Sequence, residues 1–205
     1  MQVKLCGLSS QEEVIASTNL NADFCGFILN YPKSHRYISY EQARKLTSLP
    51  KKNSKYVGVL VKPTDKELEK YSKLNLDYFQ IYGDYTNDDI YKIKLNFNKK
   101  IISAIQVKNK VDVLRYKKID LESDIILWDS SGLEESLQWD YEWIKSVPKN
   151  ITKMIAGNID TDNLDQISKL ADIVDVSGAL ETNKVKDINK IKFFLEKVKE
   201  INYED

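Results

Sequence analysis

The chain is poor in the residues that most often announce a chemistry. It has one histidine, His35, and two cysteines, Cys6 and Cys25, in 205 residues. A single histidine argues against a His-based zinc site or triad, and the two thiols form neither a disulfide framework nor a metal-ligand spacing. There are four prolines and seven glycines, with no Pro/Gly linker and no low-complexity stretch. The expectation is therefore one domain spanning 1–205. No apolar run approaches the ~20 residues that a membrane helix needs. The start, Met1-Gln2-Val3-Lys4-Leu5-Cys6, lacks the apolar stretch of a signal peptide. Charge of either sign is not in excess, with 31 Lys plus Arg against 31 Asp plus Glu. That balance gives no footprint for nucleic acid. Runs such as Lys51-Lys52 and Asn98-Lys99-Lys100 read as solvated loop charges. The expected protein is soluble and cytoplasmic, with reduced thiols and no nucleic-acid or membrane partner.

What the chain does contain is an alternation. Short apolar, β-branched runs fall at 3–6, 24–29, 56–61, 77–81, 101–105, 125–128, 154–156 and 173–176. Between them lie segments of helical period with start signals. Ser10-Gln11-Glu12-Glu13 opens one, a hydroxyl cap followed by acids. Ser39-Tyr40-Glu41-Gln42, Thr64-Asp65-Lys66-Glu67 and Thr161-Asp162-Asn163-Leu164 open others. The last helix, over 187–198, puts Ile188, Ile191, Phe194, Leu195 and Val198 on one face. Apolar strands separated by helices imply parallel pairing with both faces covered. Eight units predict a (β/α)₈ TIM barrel in the α/β class, near the lower size limit of that fold. A doubly wound open sheet is the competitor. It usually has fewer strands, and no Gly-x-Gly-x-x-Gly follows the first one.

Barrels of this kind carry their chemistry at the carboxyl ends of the strands. Cys6 ends the first run, and Asp129 follows the sixth. A thiol and a carboxylic acid then face one pocket, a pairing suited to proton transfer. The loop after strand two carries Lys33-Ser34-His35-Arg36-Tyr37. Gly157 and Asn158 follow strand seven, and Ser177 and Gly178 follow strand eight. Backbone N–H groups at such turns hold phosphate in this fold. Taken singly, Cys6 reads as a small buried hydrophobe, Asp129 as a helix cap, Arg36 as a surface charge and the glycines as turn residues. Their joint occurrence at one end of the barrel favours a site. Cys25, inside strand two, reads as core, and His35 as loop packing.

These segments resemble, in order, those of the phosphoribosylanthranilate isomerase family of tryptophan biosynthesis. Val3-Lys4-Leu5-Cys6-Gly7-Leu8-Ser9 is similar to the family's opening strand and its Cys-Gly-(Leu/Ile)-Thr turn. Ala22-Asp23-Phe24-Cys25-Gly26-Phe27-Ile28 is similar to its second strand, and Ser34-His35-Arg36-Tyr37-Ile38 to its Ser-Pro-Arg-Tyr-Val segment. Phe79-Gln80-Ile81-Tyr82-Gly83 resembles Val-Gln-Leu-His-Gly, and Ile126-Leu127-Trp128-Asp129 the sixth strand. Ile155-Ala156-Gly157-Asn158 and Val174-Asp175-Val176-Ser177-Gly178 resemble the two phosphate loops. The chain departs from the family at Tyr82, where histidine is usual, and at Asn158, where a second glycine is. It departs again at Gly132-Leu133-Glu134-Glu135-Ser136, where the family has Gly-Gly-Thr-Gly.

The resemblance implies the Amadori rearrangement of N-(5-phosphoribosyl)anthranilate to 1-(o-carboxyphenylamino)-1-deoxyribulose 5-phosphate. It implies Asp129 as general acid, Cys6 as general base and Arg36 on the anthranilate carboxylate. Gly157, Asn158, Ser177 and Gly178 would take the phosphate, and Asp175 would face the substrate amine. No metal or other cofactor is expected, and the protein is expected as a monomer or homodimer. The roles demand opposed shifts. Burial should raise Asp129 from about 3.9, and the turn at Gly7 with the following helix start should lower Cys6 from about 8.5. Two alternatives are another sugar-phosphate isomerase or epimerase and a non-catalytic descendant that binds a phosphometabolite or a partner protein.

Overall fold

The computed structural model describes residues 1–130 and 138–204. Eight parallel strands close on themselves in sequence order. They are β1 (Gln2–Cys6), β2 (Phe24–Ile28), β3 (Lys55–Val61), β4 (Tyr78–Tyr82), β5 (Lys100–Val107), β6 (Ile125–Ser130), β7 (Lys153–Ile155) and β8 (Ile173–Val176). The seam between β1 and β8 pairs Lys4 with Asp175 and Leu5 with Val176. That closure decides for the barrel over the open sheet.

Period-two alternation explains why the strands are apolar on both sides. Phe24, Val57, Tyr78, Ile102, Leu127 and Met154 fill the interior. The intervening residues, among them Leu5, Phe27, Phe79 and Trp128, pack outward beneath the helices. Each such side chain, fully buried, contributes about 1.5–3 kcal/mol. Inside the barrel, Phe24 and Tyr78 meet edge to face with centroids 5.6 Å apart.

The helices begin largely where their caps predict. In α1 (Gln11–Asn19), Ser10 Oγ accepts from the Glu13 amide while the Glu13 carboxylate accepts from the Ser10 amide, each at 3.2 Å. Ser39 caps α2 (Tyr40–Thr47), and Thr64 with Glu67 boxes α3 (Asp65–Ser72). Thr86 with Asp89 does the same for α4 (Asn87–Phe97). After β5 a single turn, α5 (Lys110–Val113), tightens into a 3₁₀ segment, Leu114–Lys118. A 3₁₀ turn, Tyr141–Ser146, precedes β7.

The predicted start at Thr161 is displaced. α6 (Leu164–Ser168) begins after Asn163. The Asp160 carboxylate instead accepts from the amides of Asp162 and Asn163 and holds 160–163 in a turn. After β8 comes a two-residue hairpin, β9 (Glu181–Thr182) and β10 (Val185–Lys186). The last helix, α7 (Ile188–Glu204), runs beyond the expected end. It buries Ile191, Phe194, Leu195, Val198 and Ile201.

Candidate active site

The strands deliver their carboxyl ends to a cavity of about 350 Å³. Cys6 of β1, Asp129 of β6 and Asp175 of β8 line it, with Arg36 from the β2–α2 loop. Gly157 and Asn158 after β7, and Ser177 and Gly178 after β8, complete its wall. All the candidate residues read from the sequence therefore meet at one place.

Asp129 points inward because it alternates with Ile125 and Leu127, both interior. Its Oδ2 accepts the Tyr82 hydroxyl at 2.7 Å, and its Oδ1 accepts the Ser130 amide at 2.7 Å. Burial raises its pKa to about 6, against the downward pull of the Tyr82 hydrogen bond. A carboxyl at that value holds a proton for part of its time near neutrality, as an acid catalyst must. Tyr82 is backed in turn by Gln80, whose Nε2 donates to the phenol oxygen at 3.2 Å.

Cys6 is buried at the rim of the barrel interior. The expectation that the turn at Gly7 lowers its pKa is not met: burial pushes the thiol up. The reason is visible in the turn. The amides of Gly7 and Leu8 both donate to the Gly26 carbonyl, each at 3.0 Å, and leave none for sulfur. What pulls the thiol back toward ionisation is the Lys4 ammonium. Lys4 is wholly buried, and its Nζ donates to both Asp175 oxygens, at 2.9 and 2.8 Å. Asp175 holds the Lys4 ammonium above its ordinary value despite the burial.

Arg36 crosses over Gly7. A Cβ at position 7 would lie 2.5 Å from Arg36 Cδ, and the backbone φ there is +78°, so only glycine fits. Arg36 Nε donates to Glu181 Oε1 at 2.5 Å and Nη2 to Oε2 at 3.1 Å. One edge of the guanidinium is thereby fixed, and the Nη1 end remains for a ligand. Lys186 Nζ reaches the same carboxylate at 2.6 Å and the Ser177 carbonyl at 3.1 Å. Burial alone would push Glu181 up, but Arg36 and Lys186 bring it down to about 2. His35 Nε2 lies 3.1 Å from Glu181 Oε2 at the outer edge.

In the loop after β7, Gly157 and Asn158 both take positive φ, +101° and +50°. Asparagine is among the few side chains that enter this region readily. Neither amide has a hydrogen-bond partner among the described residues. The Gly157 carbonyl is held by the Tyr141 hydroxyl and the Asn158 carbonyl by Asn163 Nδ2. A 3₁₀ turn, Gly178–Leu180, begins on the neighbouring loop, after β8. Two sets of main-chain donors without partners among the described residues thus border the cavity, as an anion requires.

Residues 3–197 match the family model described as N-(5'phosphoribosyl)anthranilate (PRA) isomerase. The chain belongs to the PRA isomerase family. A relative from Streptococcus mutans, named N-(5'-phosphoribosyl)anthranilate isomerase, is 38% identical over 203 residues, covering 97% of this chain and 98% of that one. One of the same name from Thermoanaerobacter pseudethanolicus is 35% identical over 210 residues, covering 98% and 99%. Among solved structures, a monomeric form of the dimeric phosphoribosylanthranilate isomerase from Thermotoga maritima superposes with a TM-score of 0.85 at 28% identity, covering 98% and 99%. A phosphoribosyl anthranilate isomerase in complex with reduced 1-(o-carboxyphenylamino)-1-deoxyribulose 5-phosphate gives 0.82 at 29% identity, covering 98% and 99%.

Within this PRA isomerase chain, sequence reasoning missed four polar side chains of the site: Lys4, Gln80, Glu181 and Lys186. Lys4 carried a signal, a lysine two residues before Cys6 inside an apolar strand and so on the same face. Glu181 was given no role, and Lys186 carried no signal, because a short hairpin turns both inward. The departure at 132–136 lies outside the described residues.

Proposed function

We propose that this chain catalyses the Amadori rearrangement of N-(5-phosphoribosyl)anthranilate to 1-(o-carboxyphenylamino)-1-deoxyribulose 5-phosphate in tryptophan biosynthesis. The observation that carries the proposal is the meeting of an up-shifted buried acid, Asp129, with the thiol Cys6 in one cavity. Anion-holding groups stand on its rim.

Asp129 gives its proton to the furanose ring oxygen, and the C1–O bond breaks to leave an iminium. The neighbouring C2 proton becomes acidic. Cys6, as thiolate, takes it, and the electron pair moves to form the enolamine. Tautomerisation of the enolamine to the ketone completes the isomerisation. One proton leaves Asp129 and one arrives on Cys6, so the enzyme's proton count is unchanged, and no metal or other cofactor is called for. Each positioned transfer contributes ~10²–10⁴ in rate. Arg36 holds the anthranilate carboxylate through its Nη1 end. The amides of Gly157, Asn158 and Gly178, with Ser177, hold the phosphate. Asp175 faces the substrate amine, a role shared with its hold on Lys4.

On this reading residues 1–205 act as one domain, as a monomer or homodimer, in the cytoplasm, where a thiol stays reduced. No described helix is long and apolar enough to cross a membrane. Expression in a tryptophan auxotroph that lacks this isomerase should restore growth without tryptophan. Continued auxotrophy with the protein present and folded would overturn the proposal.

A further inference from the structure

Lys4 has no place in the chemistry above, yet it is completely buried beneath the base. An ammonium in such a place costs several kcal/mol unless it is paired and used. Its pairing is built into the barrel seam. Lys4 and Asp175 are direct register partners across β1 and β8, and both carboxylate oxygens take the same Nζ.

Its approach to sulfur is also built in. Gly26 on β2 is the register partner of Cys6. A Cβ added at Gly26 would lie 3.2 Å from Lys4 Nζ and 3.3 Å from Cys6 Sγ, so the ammonium and the sulfur flank one point. Glycine keeps that point clear. The turn amides that could have served the sulfur are bound to the Gly26 carbonyl instead.

The charges facing Cys6 come from every side. Lys4 lies on its own strand, Asp175 on β8, Lys186 on β10 and the Tyr82 hydroxyl on β4. Arg36 passes over Gly7, Glu181 joins Arg36 to Lys186, and Asp129 stands on the wall of the same cavity. With Asp129 carrying its catalytic proton, three cations face two carboxylates. A thiolate at Cys6 brings the buried set to neutrality.

We propose that Lys4 is the positioning residue of the base: anchored by Asp175, its ammonium is the countercharge against which the Cys6 thiolate forms. The proposal rests on the reading of Cys6 as the base and adds the group that ionises it. The competing view makes Lys4–Asp175 a purely structural ion pair.

The two views separate on thiol titration, which needs no substrate. In a Cys25→Ala background Cys6 is the sole thiol, and its alkylation by iodoacetamide is followed against pH on folded protein. Lys4→Met should slow alkylation at pH 8 about tenfold and move the curve to higher pH. Asp175→Asn should do the opposite, since it removes a negative charge that opposes the thiolate and leaves the Cys6 thiolate itself as the partner that keeps Lys4 charged. A structural pair gives no reason for opposite signs. Where Lys4→Met alone fails to fold for want of a partner to Asp175, Lys4→Met/Asp175→Asn removes both charges and should also alkylate more slowly than Asp175→Asn alone. In folded Lys4→Met, which leaves Asp175 in place, kcat should fall about tenfold with KM within twofold.

Alkylation curves that coincide for the parent, Asp175→Asn and the Lys4 variant that folds would overturn the proposal. If the curves separate as expected but the parent turns over no substrate, the isomerase reading falls and the ion pairing stands. If the parent is active and the curves coincide, only the role of Lys4 falls.

Discussion

Tyr82 on β4 donates its hydroxyl proton to Asp129 on β6 at 2.7 Å, across the mouth of the barrel. The phenol stands where the family's Leu-His-Gly segment has histidine. The hydrogen bond pulls Asp129 down against burial, and the balance is about 6. On the proposed mechanism the acid and the thiol together need one proton, placed on Asp129 with Cys6 ionised. Below about 6 both groups are protonated, and kcat/KM falls. Tyr82→Phe removes the largest of the groups that oppose burial and leaves the Ser130 amide and Lys4. A hydrogen bond to a charged group is worth about 1.5–3 kcal/mol, or about one to two pH units. The acid limb of kcat/KM should therefore move upward by that amount. A limb that stays near 6 in the variant would detach Tyr82 from the acid.

Arg36 is expected to grip a group that does not react. Arg36→Ala should raise KM about ten- to a hundredfold and change kcat little, the loss of one charge-assisted contact. A KM within twofold of the parent's would place the carboxylate elsewhere.

Glu181 joins Arg36 to Lys186 and stands at about 2, far below its ordinary 4.5. Its folded value is depressed, so the stability it lends is full above about 4.5 and is lost as pH falls toward 2. Glu181→Gln should lower the denaturation midpoint at pH 6, and the gap to the parent should close as pH falls to about 2. Parallel curves over that range would show that the carboxylate adds nothing to the fold.

The loop after β7, proposed to hold the phosphate, puts the amides of Gly157 and Asn158 on the cavity wall with no partner among the described residues. Inorganic phosphate at millimolar levels should therefore inhibit competitively. Asn158→Gly should preserve this, because it keeps the N–H and the backbone conformation, whereas Gly157→Val, forced to positive φ, should weaken it several-fold. Non-competitive inhibition, or none, would move the anion site away from these loops.

The strands were legible because each is a short apolar run, and most helix starts because hydroxyl caps with a following acid satisfy the first amides. Thr161 misled for a local reason. Asp160 has the same capacity to bind amides and sits one residue earlier. Cys6, Arg36 and Asp129 were legible from their places after strands. The state of Cys6 was not, because it depends on where the Gly7 and Leu8 amides go and on a lysine that the barrel seam turns beneath it. Glu181 was invisible as a site residue because only the β9–β10 hairpin brings it back to Arg36.

The central claim is tested most directly by incubating the purified protein with N-(5-phosphoribosyl)anthranilate and separating the two isomers by chromatography over time. The account predicts conversion to 1-(o-carboxyphenylamino)-1-deoxyribulose 5-phosphate by the parent. It predicts rates ~10²–10⁴ lower for Cys6→Ala and Asp129→Asn, both folded. Substrate that binds but is not converted by the parent, or near-normal kcat in either variant, would contradict it.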